Sequence, residues 1–308
     1  MTNNEQTYHI PVMLAECLEG LNINPDGIYV DVTFGGGGHS REIFKQLSPK
    51  GKLIVFDQDP DAKLNAWSAP NFQFIASNFA FIKNHLRVLG IKEVDGILAD
   101  LGVSSHQFDD AKRGFSIRSN EKLDMRMNQS GDLTAEKIVA TYDEEQLAKI
   151  FRAYGELDHP YKTAVELVKA RSKKSIRTTG ELMEALMPVA PKFKDHKFFA
   201  QVFQALRIEV NQEMDVLEKF LLQVPEVLKT DGRFVVMSYH SLEDRLVKNM
   251  MKRGSLEGKI EKDFFGKVLK PFEELNRKPI SPSEEEIQRN TRARSAKLRI
   301  AKRVEDGK

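Results

Sequence analysis

Short apolar runs recur through the first hundred residues, at Ile28–Thr33, Lys52–Asp57, Phe72–Ala76 and Asp95–Asp100, each rich in β-branched or aromatic side chains. Between them lie stretches with helical spacing, such as Ser40–Leu47 and Asp61–Trp67. This alternation predicts right-handed βαβ units and a mostly parallel sheet covered on both faces. Beyond Asp100 the pattern changes. Helical periodicity dominates from about Leu133 to Leu228, over Leu133–Tyr142, Glu144–Tyr154, Lys162–Ser172, Glu181–Met187 and a long run from Lys197 to Leu222, with Thr178 and Glu181 at capping-box spacing. Strand character returns at Arg233–Tyr239 after an Asp231-Gly232 turn, and two further short candidates are Gly266–Lys270 and Ala296–Ile300. The economical organisation is an α/β domain from residues 1–112 and 206–308, built from both ends of the chain and interrupted by an all-helical insertion at 113–205.

Composition changes this picture little. With 308 residues, 41% of them hydrophobic, the chain holds enough apolar material for a core without metal or disulfide staples. The single cysteine, Cys17, excludes a disulfide framework and any zinc site that needs several thiolates. It sits in an N-terminal helix expected over Met13–Leu21, remote from the strand ends, as an inert, partly buried thiol. The first six residues are polar and no apolar run approaches bilayer-spanning length, so no membrane association and a cytoplasmic location are expected.

Net charge is only +2, yet its distribution is uneven. Between Ile287 and Val304 lie Arg289, Arg292, Arg294, Lys297, Arg299, Lys302 and Arg303 with no acidic residue, and smaller basic clusters occur at Arg171–Arg177 and Lys192–Lys197. Any one cluster reads equally well as a solvated face; together they point to a phosphate-bearing substrate.

The most informative segment is Asp31-Val-Thr-Phe-Gly-Gly-Gly-Gly-His39-Ser40, a strand that enters four glycines and then a helix. Such a turn lets backbone N–H groups approach a nucleotide at a helix start. It lacks the Lys-Ser/Thr of a phosphate-binding P-loop, and Ser40 stands where a dinucleotide fingerprint needs its third glycine, which counts against a nicotinamide dehydrogenase. An acid on the strand suits instead the ammonium and sulfonium of S-adenosylmethionine. Asp57, twenty positions beyond Gly37, is placed to accept from ribose hydroxyls, though a helix-capping role is an alternative. Phe79 is placed equally well to cover an adenine face or to pack in the core. Asp100 ends the fourth strand, where ligands bind open parallel sheets.

Several motifs in order, namely the glycine turn, Asp100-Leu-Gly-Val-Ser-Ser, Arg113-Gly-Phe-Ser, Leu123-Asp-Met-Arg-Met, Gln204-Ala-Leu-Arg-Ile-Glu-Val-Asn, Ser241-Leu-Glu-Asp-Arg and Arg292-Ala-Arg-Ser, closely resemble the RsmH (MraW) family. The resemblance runs from His9 to about Arg303. It implies a Rossmann-like class I methyltransferase domain with an inserted helical domain. The implied activity is S-adenosylmethionine-dependent methylation of the exocyclic N4 of a cytidine in the decoding centre of 16S rRNA. Carried over position by position, the cofactor contacts are Gly37, Gly38, His39, Asp57, Phe79, Asp100 and Gln107, with Asp31 added from the turn itself.

The cytosine N4 is a poor nucleophile, so a catalytic acceptor for its proton is expected. The Asp100 loop is the candidate for that acceptor, and Tyr239 or His240 at the end of the fifth strand is placed to stack on or contact the base, against the alternative that this turn only caps a helix at Ser241. Arg289, Arg292, Arg294, Lys297 and Arg299 are the expected RNA contacts on 16S rRNA or the small subunit. No metal is expected. The pattern is compatible with a homodimer, and with a non-catalytic assembly factor that keeps the cofactor pocket.

Overall fold

The alternating elements of the first hundred residues form one side of a seven-stranded sheet, and the last eighty supply the other. The computed structural model describes residues 11–104, 107, 113–260, 262, 264, 266 and 268–305. The strands are β1 (Ile28–Asp31), β2 (Lys52–Asp57), β3 (Phe72–Ala76), β4 (Val94–Asp100), β5 (Leu228–Ser238), β6 (Phe272–Glu274) and β7 (Lys297–Arg303), in the order β3-β2-β1-β4-β5-β7-β6. Strands β1 to β5 are parallel, and β7 inserts antiparallel between β5 and β6. The chain leaves β1 toward β2 and β3, then returns to place β4 on the opposite side. The switch point therefore lies between the carboxyl ends of β1 and β4, which are Asp31 and Asp100.

Both faces of this sheet are buried, with side chains alternating between them. In β2, Ile54 and Phe56 enter one core, with Ile97, Ala99, Phe234 and Val236, while Leu53 and Val55 enter the other, with Tyr29, Leu98, Val235 and Met237. The second face is covered by α1 (Leu14–Leu21) and α2 (Gly38–Gln46), the first by α3 (Ile82–Val88) and by the helices Glu213–Val227 and Ser241–Arg253.

Residues 103–213 form a separate compact unit. The helices Ala135–Thr141, Glu144–Ala153, Pro160–Lys173, Thr179–Leu186 and Asp195–Asn211 close over their own core, which includes Leu147, Phe151, Leu167, Leu182, Val202 and Leu206. Thr178 and Glu181 form a reciprocal capping box, and Asp143 with Gln146 forms another. The units divide at Gly102/Val103 and Glu213/Met214, against the expected 112 and 205. The later boundary moves because Asp195–Asn211 is continuous and buries its apolar face inside the helical unit. Its end is structural too: Arg207 pairs with Glu213, and Asn211 bonds Met127 N–H and the Met125 carbonyl.

Other expectations are corrected. The run Lys197–Leu222 is two helices, broken at Gln212 with φ 50. Asp61–Trp67 is replaced by a 3-10 turn, Pro60–Asn65, whose last residue donates its side-chain amide to Gly35 O. The strand expected at Gly266–Lys270 reduces to a Lys262–Val268 bridge, with residues 265 and 267 outside the described set; Gly266 at φ 83 and Pro271 suit a bend, and β6 begins at Phe272.

Candidate cofactor and catalytic site

The glycine turn is held from beneath by Asp31. Its Oδ1 accepts from Thr33 N–H at 3.0 Å and its Oδ2 from Ser40 Oγ at 2.6 Å, so the carboxylate ties the strand end to the first turn of α2. It is 1% exposed, and burial raises its pKa against the Ser40 bond. The expectation that Asp31 meets the cofactor directly is therefore replaced by a bracing role, because burial and the turn itself occupy it. Thr33, in a position where the methyltransferase pattern carries glycine, accepts at Oγ1 from Asp100 N–H at 2.7 Å, linking the ends of β1 and β4. Sequence reasoning did not assign Thr33 a role; its departure from the glycine pattern was the available signal.

Gly35 and Gly37 have φ of 51 and 75, the left-handed region that a Cβ disfavours. Gly35 N–H donates to Asp57 Oδ2 at 2.7 Å, and Asp57 Oδ1 accepts from Asp59 N–H at 2.8 Å. A Cβ on Gly38 would lie 2.4 Å from Pro11 Cγ, whereas one on Gly36 would meet nothing within 4 Å. The turn is thus closed at Gly38 and open at Gly36, where a ligand can approach backbone at a helix start.

Asp100 lies on the other side of the switch point. Its Oδ1 accepts from the Tyr239 hydroxyl at 2.8 Å, and its Oδ2 lies 3.8 Å from His39 Nδ1. His39 Nε2 sits 3.0 Å from Val12 O, which can only accept, so that nitrogen carries a proton and Nδ1 faces the carboxylate. The Asp100 side chain is 26% exposed. Burial pushes its pKa up to about 6 against the pull of His39 and Tyr239, and burial likewise pushes Asp57 up to about 6. Three acids with raised pKa values at the ends of β1, β2 and β4 form a site whose charge a cationic ligand would complement. The sulfonium and ammonium of S-adenosylmethionine fit that demand.

The other expected residues divide. Phe79 is half-buried and packs edge-on against Phe220 at 5.2 Å. Gln107 belongs to the helical unit, where Oε1 accepts from Ser104 N–H at 3.0 Å. His240 is corrected from a base contact to a helix cap: Nδ1 accepts from Glu243 N–H, and the Glu243 side chain returns to the backbone of residues 239 and 240. The cap is His240 itself and not Ser241. Cys17 is not remote, because α1 packs on β4 and β5 and puts the thiol within electrostatic reach of Asp100 and Asp31. Burial, then those charges, push its pKa well up; the thiol is fully buried where partial burial was expected.

Among the basic residues, Arg289, Arg292 and Arg294 are exposed on the helix Glu284–Arg289 and the 3-10 turn Thr291–Ser295. Arg299 is corrected. It is 6% exposed and its Nε donates to Asp244 Oδ1 at 2.7 Å, with half-buried Lys297 3.5 Å from the same carboxylate. Alternation along β7 turns both toward Asp244.

A sheet of this order with an antiparallel seventh strand, a glycine turn after β1 and acids ending β2 and β4 defines a Rossmann-like methyltransferase. Within that class the chain belongs to the MraW methylase family, whose profile it matches over residues 6–304. It is 56% identical over 303 residues to ribosomal RNA small subunit methyltransferase H of Bacteroides thetaiotaomicron, covering 98% of this chain and 100% of that one. It is 57% identical over 305 residues to the protein of the same name from Parabacteroides distasonis, covering 99% and 100%. Among solved structures, an rRNA methylase from Streptococcus thermophilus aligns over 95% of this chain and 94% of its own with a TM-score of 0.42 and 10% identity. No described helix is long and apolar enough to cross a membrane.

Proposed function

We propose that this protein transfers the methyl group of S-adenosylmethionine to the exocyclic N4 of a cytidine in the decoding-centre region of 16S rRNA, acting in the cytoplasm on free rRNA or on the small subunit. The observation that carries the reading is the Asp100 carboxylate, partly exposed at the switch point, held by Tyr239 and faced by His39. When bound, the cofactor supplies an activated methyl group. Gly37, Gly38 and His39 offer backbone to its methionine end, Asp57 accepts from the ribose and Phe79 covers the adenine.

Transfer to an exocyclic amine needs no protein nucleophile, only alignment and a group that takes the amine proton. As the new N–CH3 bond forms and the S–CH3 bond breaks, N4 loses a proton, and Asp100 is the acceptor. A carboxyl with a pKa of about 6 is ionised at neutral pH yet basic enough for that step. Tyr239 fixes the carboxylate, and its own pKa, pushed well up by burial and by Asp100, keeps its proton on oxygen. Addition of a thiolate to C5 is disfavoured because the thiol of Cys17 is buried with a pKa pushed well up. The exposed Arg289, Arg292 and Arg294 neutralise phosphates.

Labelled methyl transfer from S-adenosylmethionine to unmethylated small subunits, followed by nucleoside analysis, tests the proposal. N4-methylcytidine is the expected product. Label on C5, or cofactor binding with no transfer to subunits or free 16S rRNA, overturns it, the latter in favour of a non-catalytic assembly role.

A further inference from the structure

The helical unit carries a side chain that its own fold does not use. Between the 3-10 turn Met187–Val189 and the helix Asp195–Asn211, Lys194 N–H donates to Pro191 O at 3.1 Å and closes a four-residue turn. Phe193 occupies the third position with φ 62. Type II turns require a positive φ there and take glycine or asparagine, because a Cβ is strained in that conformation. The Phe193 ring is also 100% exposed. It therefore gains nothing from burial while its backbone works against the fold. Strain of this kind persists where function holds it.

Its surroundings indicate the partner. Lys192, Lys194 and Lys197 are all exposed, and Asp195 is the one acid between Met187 and Lys197. A bare aromatic face between ammonium groups matches the alternation of base and phosphate in single-stranded nucleic acid. An anchor for a protein groove would instead call for an apolar surround, which the lysines do not give.

We propose that Phe193 is a stacking post for an unpaired base of the RNA substrate, with Lys192, Lys194 and Lys197 holding the adjoining phosphates. The proposal rests on the RNA-methylation reading above and adds a point of recognition on the helical unit. It is distinct from the exposed arginines near the C-terminal strand.

Variants Phe193→Ala, Phe193→Leu, Phe193→Trp and Phe193→Gly of the full chain test it against two probes, a decoding-region 16S rRNA fragment and unmethylated small subunits. Loss of one stacked base weakens binding by roughly tenfold. Ala and Leu are expected to weaken fragment binding by that factor and to raise KM for subunits with kcat unchanged. Trp retains binding and its fluorescence is quenched by the fragment, with Trp67 the single background tryptophan. Gly raises Tm by relieving the strain while binding falls, a combination that a merely structural residue would not give. Wild-type KM and fragment affinity in the Ala variant overturn the proposal. So does full subunit binding by Leu with fragment binding insensitive to every variant, which assigns the ring to a ribosomal-protein contact. Failure of the methylation reading shows separately, as absence of transfer by the wild type.

Discussion

Replacing Tyr239 by Phe removes one hydroxyl and tests how the carboxylate at the switch point works. That hydroxyl donates to Asp100 Oδ1 at 2.8 Å. A hydrogen bond to an ionised group contributes about 1.5–3 kcal/mol, and about 1.4 kcal/mol corresponds to one pKa unit. Asp100 sits at about 6 with the bond in place. Without it the carboxyl is expected to rise by about one to two units. An acceptor works only when ionised, so the acidic limb of the methyl-transfer rate should move up by that amount, and at pH 9 the variant should approach the wild-type rate. The assay is labelled transfer to small subunits from pH 5.5 to 9 at saturating cofactor, both proteins side by side so that the cofactor's own charge affects them equally. Stability gives a second readout. Because burial raises Asp100 from its ordinary 3.8 to about 6, its ionised form opposes folding, and the related stability is present below about pH 4 and lost as pH rises through 6. Losing the Tyr239 bond adds to that loss only where Asp100 is ionised, so Tm should fall more at pH 8 than at pH 5. A rate lowered by the same factor at every pH, with an unmoved acidic limb, would refute the reasoning.

Three further outcomes are expected. Arg299→Ala leaves Lys297, at 3.5 Å, as the cation beside the buried Asp244 among the described residues, and denaturant unfolding should show a loss on the order of 3 kcal/mol. Arg292→Ala with Arg294→Ala changes exposed residues, so Tm should hold while the salt dependence of rRNA binding becomes shallower by about 1–2 in log–log slope. Gly38→Ala drives a Cβ to 2.4 Å from Pro11 Cγ and should lower both stability, by about 1–3 kcal/mol, and cofactor affinity. Gly36→Ala points into open space and should leave Tm intact while weakening cofactor binding in calorimetry.

The sheet was legible where strands are short, apolar and flanked by charge. Lys52–Asp57 was read to the residue because both faces of that strand are buried and the apolar run has sharp ends; the edge strand Phe72–Ala76 was read to the residue from its aromatic and β-branched side chains, although Gln73 and Ala76 are exposed. Strand β7 was placed at Ala296–Ile300 and found at Lys297–Arg303, since alternating basic residues hid its continuation. The same charges misled the assignment of Arg299, whose partner Asp244 lies 55 positions away in sequence. Asp100 was singled out from its place at a strand end. The residue that holds it lies 139 positions away, and Tyr239 entered as a base contact because periodicity says nothing about which strand ends become neighbours. His240 was misjudged because serine is the ordinary capping residue and an imidazole is not.

Strand β4 pairs with β5, which follows only after residues 103–213. On a translating ribosome that interval takes roughly 5–20 s. The helical unit, with a core of its own, can settle in that time, while β4 waits with one edge unpaired. Asp100 meets Tyr239 only when the far strands arrive, so this carboxylate–hydroxyl pair is among the last parts of the molecule to be made. A chain released early would carry a finished helical unit beside an open-edged sheet, a template for aggregation and not a slow methyltransferase.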